Sequence, residues 1–402
     1  LRKQQEVSDI RSGYYGEWAV YRNKSIAEIK TELEKGKTFV IRLKSEGKSE
    51  RKVSYKDVIK GNIEMPENDQ DIVICKSDGL PTYHFAHAID DHLMGTTHVV
   101  RGEEWLPSVP VHIQLFQALG WKPPRYAHIP TILKQEGNSK RKLSKRKDPE
   151  AAVSFYHEEG FPSETVIEYL LNLANSTFED WRRNNPEKHH SEFPLKTEKI
   201  GSSGALFDLI KLTDISKNVI SRMSAQYIYE QLKKWAEKFD PKFLKLIERD
   251  SEYTIKILNI DRENKKPRKD IAKWSEIKDI VSYFYSELYP LSANDTYDFP
   301  ENISNNEVKN ILEKYITVFN LTDTKEEWLN RIREFSEELG YAKDTKTYKE
   351  SPEKYKGYLA DTTTVIRIAL TKRKQTPDLY EVMKVLDSTE VKRRFNHAIN
   401  CL

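Results

Sequence analysis

Cysteine is nearly absent from this sequence: Cys75 and Cys401 are the only two. Two thiols cannot build a disulfide framework or a cysteine-rich zinc cluster. No His-Glu-x-x-His stretch and no paired Cys/His spacing occurs either, so no metal site is indicated and zinc is not expected. Long apolar runs are missing; none approaches the roughly 18–20 residues that cross a bilayer, and no membrane role is expected. An excess of either charge is also lacking. Lysine and arginine number 66 against 63 aspartates and glutamates, a formal charge of +3. That balance excludes an indiscriminate polyanion binder and requires any basic face to be local. What is present is ordinary globular material: 38% hydrophobic and 11% aromatic residues are too many for a disordered chain. The 402 residues suffice for about two to four domains of ~100–200 residues each. A reducing, cytoplasmic setting is expected. The opening run Leu1-Arg2-Lys3-Gln4-Gln5-Glu6 shows neither an initiator methionine nor a signal-peptide pattern and reads like the inside of a charged helix. A piece of a longer protein is expected on that ground.

The first half alternates strand and helix patterns. Ser25 to Glu34 has a short helical pattern, and Thr38 to Leu43 reads as a strand with β-branched enrichment. Asp71 to Cys75 is a second strand, closed by the turn signal Asp78-Gly79, and Thr97 to Arg101 is a third. Pro107 to Leu119 reads as a helix stopped by Gly120. Such alternation is the signature of α/β architecture, in which ligands gather at the C-terminal ends of strands. From about residue 150 the pattern turns helical. Ser163 is placed to cap a helix with Val166, Ile167, Tyr169, Leu170 and Leu173 on its apolar face. The polar stretch from Glu179 to Lys199 suggests an excursion on the surface. Ser304-x-x-Glu307 and Thr324-x-x-Glu327 have capping-box spacing, and Thr376-Pro377-Asp378 starts a further helix with proline at its first position.

Three segments carry chemistry. Ser77-Asp78-Gly79-Leu80-Pro81-Thr82-Tyr83-His84-Phe85-Ala86 comes first. Asp90-Asp91-His92-Leu93-Met94, continuing to Thr97-His98-Val99-Val100-Arg101-Gly102-Glu103-Glu104-Trp105, follows. Third is the basic loop Lys140-Arg141-Lys142-Leu143-Ser144-Lys145-Arg146-Lys147. Taken alone, that loop is also compatible with a solvated basic turn or a generic nucleic-acid patch. In this order, however, the three resemble the signatures of bacterial-type glutamyl-tRNA synthetases, the last being the Lys-Leu-Ser-Lys-Arg form of the class I KMSKS loop. Gly204-Ala205-Leu206-Phe207-Asp208, and Val365 to Thr371 leading into Pro377-Asp378-Leu379-Tyr380, extend the likeness over essentially the whole chain.

The resemblance implies an α/β fold, a partial Rossmann-type nucleotide fold with an inserted acceptor-binding module, followed by an all-α anticodon-binding region. Its implied parts are an acceptor-end module at 1–74, a nucleotide-fold half at 75–135, a loop and stem-contact region at 136–225 and two helical sub-bundles at 226–402. It implies a ligase that activates L-glutamate with ATP and Mg2+ and transfers it to the 3′ end of tRNA. Adenylation expels pyrophosphate, so ammonium groups that close on the departing oxygens favour the transition state. Lys142 and Lys145 suit that work as point charges on flexible stems, and Ser144 can donate to a phosphate oxygen. By the resemblance, Arg101, Tyr83 and His87 meet glutamate; Glu104, Trp105, Ile132 and Leu133, with Lys142, Leu143, Ser144 and Lys145, meet ATP. His87 stands where many relatives have asparagine, which alters the shape and titration of that contact. The residue types leave other readings open: Arg101 could pair with Asp90, Asp91 or Glu103, and Trp105, Ile132 and Leu133 could be plain core.

Arg146, Lys147 and the run Lys372-Arg373-Lys374 are candidate contacts to glutamate-specific, and also glutamine-specific, tRNA; each basic run could equally be a solvated helix face. A monomer is expected. Class I members also carry a His-Ile-Gly-His signature, and no His-x-Gly-His occurs here. From this a truncated catalytic domain is expected, with the alternative that the chain binds tRNA without activating glutamate.

Overall fold

Eight short strands fall within residues 41–142, and no sheet exceeds two of them. The computed structural model describes residues 1–402, which divide into two compact units: 1–147 with 170–208, and 148–169 with 209–402. In the first unit β1 (Ile41–Arg42) pairs antiparallel with β4 (Val73–Cys75). The hairpin β2 (Lys52–Asp57) and β3 (Gly61–Pro66) pairs along its full length. β5 (His98–Gly102) and β6 (Arg125–Ile129) run parallel. β7 (Leu133–Glu136) and β8 (Ser139–Lys142) form a hairpin whose turn puts Gly137 at φ 59°, the conformation a two-residue connection favours.

A parallel pair needs a crossover, and helix α2 (Val109–Ala118) supplies it between β5 and β6. Gly120 then takes φ 73°, releasing the chain from that helix. Against α2 lies α1 (Tyr83–Leu93), and Ala88, Leu115 and Phe116 are buried between these elements. Val109, Ile113 and Tyr126 form the adjoining cluster. The backbone of Val58 donates to Tyr126 O at 2.9 Å, fastening the β2–β3 hairpin to β6. This scaffold sets the register Arg101↔His128, which matters below.

The segment Gly204–Phe207 returns to the start of β7. Leu133 N donates to Ala205 O at 2.9 Å, and Phe207 N donates to Leu133 O at 2.7 Å. A Cβ on Gly204 would meet Thr131 O at 2.7 Å and Leu133 Cγ at 2.9 Å. Only glycine fits that approach. Gly204→Ala is therefore expected to cost about 1–3 kcal/mol, read as a lowered thermal midpoint.

The second unit is helical and has one continuous core, including Trp235, Ile277, Tyr315, Ile332, Val365, Met383 and Phe395. Both predicted capping boxes form, Ser304 with Glu307 and Thr324 with Glu327. Other local expectations fail for identifiable reasons. The strand predicted at 38–43 shortens to Ile41–Arg42, because only β4 is there to pair with it, and Phe39 is left 57% exposed. Ser163 is the first helical residue rather than a cap, since the helix spans Ser163–Ala174. On that helix Ile167 and Leu170 are exposed, while Thr165 bonds Ser216 at 3.1 Å and Glu168 pairs with Arg222 at 2.8 Å. Pro377 lies outside its helix (Leu379–Leu386), whose cap is Asp378 accepting from Glu381 N. The stretch 179–199 is more than an excursion: Phe178, Trp181 and Phe193 form a small aromatic core with ring centroids 5.0–5.7 Å apart.

Candidate active site

Arg101 ends β5 at the edge where an α/β crevice opens, and its surroundings are neutral. Its Nε donates to His128 Nε2 at 3.1 Å, and its terminal nitrogens lie 3.4 and 3.3 Å from His112 Nδ1. The guanidinium sits 4.9 Å from the Tyr126 ring centre and 5.7 Å from that of Trp105. None of the carboxylates offered as ion-pair partners takes it: Asp91 lies 2.8 Å from His87 Nδ1, and Glu103 pairs with Lys60 at 2.7 Å. A cation held by imidazoles and ring faces keeps its full attraction for an incoming carboxylate.

Tyr83, 52% exposed, forms the open wall beside it, with its ring centre 4.6 Å from that of Trp105. Its ring is parallel to that of His87 at 6.1 Å. His87 stands deeper. Its Nδ1 lies 2.8 Å from Asp91 Oδ2 and its Nε2 is 3.2 Å from Tyr126 Oη.

The basic loop is anchored on the same side of this unit. Leu143 N donates to Ile132 O at 2.9 Å, and Leu133 faces Lys142 across the β7–β8 ladder. Ile132, Leu133 and Leu143 are half-buried. Lys142 reaches Glu104 at 3.1 Å, joining the loop to the residue three beyond Arg101. Hydrogen bonds from its own backbone amide and from Lys142 lower the Glu104 pKa. Both partners are well exposed, so the pair is weak and exchangeable. Ser144 turns the loop, its O accepting from Lys147 N at 3.0 Å. Lys145, Arg146 and Lys147 are exposed and carry no ion pair.

In the helical unit the run Lys372-Arg373-Lys374 is occupied internally. Lys372 pairs with Asp295 at 2.7 Å, Arg373 with Asp279 at 3.1 Å and Lys374 with Asp298 at 2.7 Å. A different cation is less committed. Arg367 lines a cleft of about 460 Å³ with Trp328, Tyr358, Thr363, Thr376 and Pro377. Its one side-chain bond goes from Nε to Thr376 Oγ1 at 3.2 Å, and burial lowers its pKa.

Comparison with known proteins gives the family. Residues 2–193 match the family described as tRNA synthetases class I (E and Q), catalytic domain, and residues 228–399 match the anticodon binding domain. A glutamate–tRNA ligase of Clostridium beijerinckii is 49% identical over 401 residues, 100% of this chain and 72% of that protein. The chain belongs to the glutamate–tRNA ligase family. A relative from Sorangium cellulosum is 44% identical over 408 residues, covering 98% of this chain and 71% of its own length. The crystal structure of the glutamate-tRNA synthetase from Elizabethkingia anophelis aligns with a TM-score of 0.73 at 25% identity, over 99% of this chain and 76% of that one. A Rossmann-like class I catalytic domain followed by a helical anticodon-binding domain is thus the architecture, and membership of a class I synthetase family brings ATP with it. The expectation of a truncated catalytic domain draws no support from these matches. No helix is long and apolar enough to cross a membrane.

The sequence alone assigns no site role to His84, His112 or His128. All three belong to the Arg101 surroundings: His84 Nδ1 is 2.9 Å from His112 Nε2, and His128 Nδ1 is 2.6 Å from Asp57 Oδ2. His92 instead stacks on Trp121 at 3.8 Å, and His98 is exposed. Burial pushes His112 down to about 2, with His87 and Arg101 adding to the effect. Burial also lowers His84, His87 and His128, against the pull of Asp91 on His87 and of Asp57 on His128. An imidazole kept neutral in the folded chain titrates near ~6.5 once unfolded, so below that pH the unfolded state binds more protons. Stability is then complete above about pH 6.5 and falls with acidification, by up to about 1.4 kcal/mol per pH unit for His112. Thermal melts at about pH 7.5 and about pH 5 are expected to show this loss, and His112→Asn to flatten it.

Proposed function

We propose that this protein joins L-glutamate to ATP and passes the glutamyl group to the 3′ end of tRNA. A glutamate carboxylate oxygen attacks the α-phosphorus and pyrophosphate leaves; a terminal ribose hydroxyl then attacks the acyl carbon and AMP leaves. One observation carries the reading: the carboxylate-free Arg101, walled by Tyr83 and Trp105, is linked through Glu104 to the loop bearing Lys142 and Lys145. Ile132 and Leu133 supply an apolar ledge for adenine. Lys142, leaving its weak pair with Glu104, and Lys145, already free, meet the phosphates, with Ser144 donating beside them. Mg2+ enters with the nucleotide. Arg146 and Lys147 are the free cations best placed for tRNA phosphates near this site. Lys372, Arg373 and Lys374 join them only by releasing Asp295, Asp279 and Asp298.

Unstacked anticodon bases are read by edge hydrogen bonds and by stacking on aromatic rings, and the Arg367 cleft offers both. Arg367→Gln is expected to weaken tRNA binding about tenfold, measured by filter binding.

A second reading is tRNA binding without glutamate activation. Incorporation of radiolabelled glutamate into purified glutamate and glutamine tRNAs, with filter binding across salt, separates the two. Charging establishes the ligase, and the preferred tRNA defines its specificity. Binding that falls steeply with salt, without charging, favours the second reading. Neither charging nor binding would refute both.

A further inference from the structure

Resting on the reading of Arg101 as the glutamate ligand, we propose that His112 and His128 are positioning residues that fix its guanidinium as neutral acceptors, so that its charge stays available to the substrate. A guanidinium only donates hydrogen bonds. The nitrogens facing it, His112 Nδ1 and His128 Nε2, therefore present lone pairs. That assigns both tautomers. His112 carries its proton on Nε2 and donates to His84 Nδ1 at 2.9 Å; His128 carries its proton on Nδ1 and donates to Asp57 Oδ2 at 2.6 Å.

Both imidazoles are fully buried, and each lies on a separate element, α2 and β6. The arginine is thus held from two directions. Asp57, itself buried, fixes the His128 tautomer from behind and also accepts from the backbone amides of Ile59, Lys60 and His128. A carboxylate in place of either imidazole would hold the arginine as firmly but cancel its charge. Neutral acceptors do the first without the second. One N–H on each terminal nitrogen remains uncommitted.

Equilibrium dialysis of labelled L-glutamate against the full chain tests this, with ATP affinity measured in parallel. His112→Leu removes the acceptor and is expected to weaken glutamate binding about tenfold or more, with ATP affinity unchanged. His112→Asn, whose amide oxygen can accept from Arg101, is expected to recover most of the loss. Asp57→Asn gives an independent arm: it lets His128 place its proton toward Arg101, and glutamate binding falls although Arg101 and both histidines are present. Circular dichroism melts identify the variants that fold. Wild-type affinity in a folded His112→Leu or Asp57→Asn overturns the proposal, as does an equal loss of glutamate and ATP binding that His112→Asn does not relieve. Arg101→Lys separates the two levels. If it binds glutamate like wild type, the assignment of Arg101 itself is wrong, whatever the histidine variants do.

Discussion

Replacing Arg101 with alanine is expected to lower kcat/KM for glutamate by about two to three orders of magnitude, the loss typical when one partner of a desolvated, hydrogen-bonded charge pair is removed. The size follows from what surrounds the side chain. No carboxylate neighbours it, so no latent negative charge is released by the change. The loss comes from the substrate carboxylate, which then meets only Tyr83, Trp105 and neutral imidazoles. His112 Nδ1 and His128 Nε2 lose their donor at the same time. Arg101→Lys keeps the charge, but a single ammonium cannot reach both imidazoles and the ligand, so most of the loss persists. Steady-state charging with glutamate varied at saturating ATP and tRNA is the measurement. An unchanged KM for glutamate would remove Arg101 from the pocket.

Lys145→Ala is expected to reduce kcat by about two to three orders of magnitude while leaving the KM for glutamate nearly unchanged. Its ammonium is exposed, unpaired and carried on the loop that follows β8, so it is free to close on charge that develops only as pyrophosphate departs. Lys142 differs because it starts paired with Glu104. Lys142→Ala removes one cation and also leaves the Glu104 carboxylate uncompensated near incoming phosphates. Adding Glu104→Gln should therefore restore part of the Lys142→Ala loss and none of the Lys145→Ala loss. Single-turnover charging of the four variants distinguishes these outcomes, and identical behaviour of the two lysines would refute the distinction.

What the sequence reveals and what it hides divides by range. The capping boxes at Ser304 and Thr324 involve four consecutive residues, so they can be read directly and they form. The stop at Gly120 is equally local. Tyr83, Arg101, Glu104, Trp105 and the Lys142–Lys145 loop are carried by motifs, and the structure puts Trp105 beside both Tyr83 and Arg101, and Glu104 against Lys142. The contributions of His112 and His128 arise only in three dimensions. Val-Pro-Val-His-Ile on a buried helix and Tyr-Ala-His-Ile in a strand are unremarkable as strings. They meet Arg101 because β5 and β6 pair in parallel with Arg101 opposite His128 and because α2 crosses between them. For the run Lys372-Arg373-Lys374 the string shows the cations without their counter-ions, since the three aspartates that pair with it come from residues 279–298, far away in the chain.

The segment Gly204–Phe207 that flanks β7 sets a condition on how this chain acquires its loop. Leu133, whose backbone supports the Lys142–Lys145 loop through the hairpin, bonds residues more than seventy positions downstream. Contacts of that separation close late, after the intervening chain has been ordered. During synthesis, the basic loop therefore leaves the ribosome without its lateral support and gains it only once residues 204–207 have followed. A nick anywhere between Lys147 and Ser202 would leave both halves of this seat present but no longer covalently joined. Loop order would then depend on the association of two pieces.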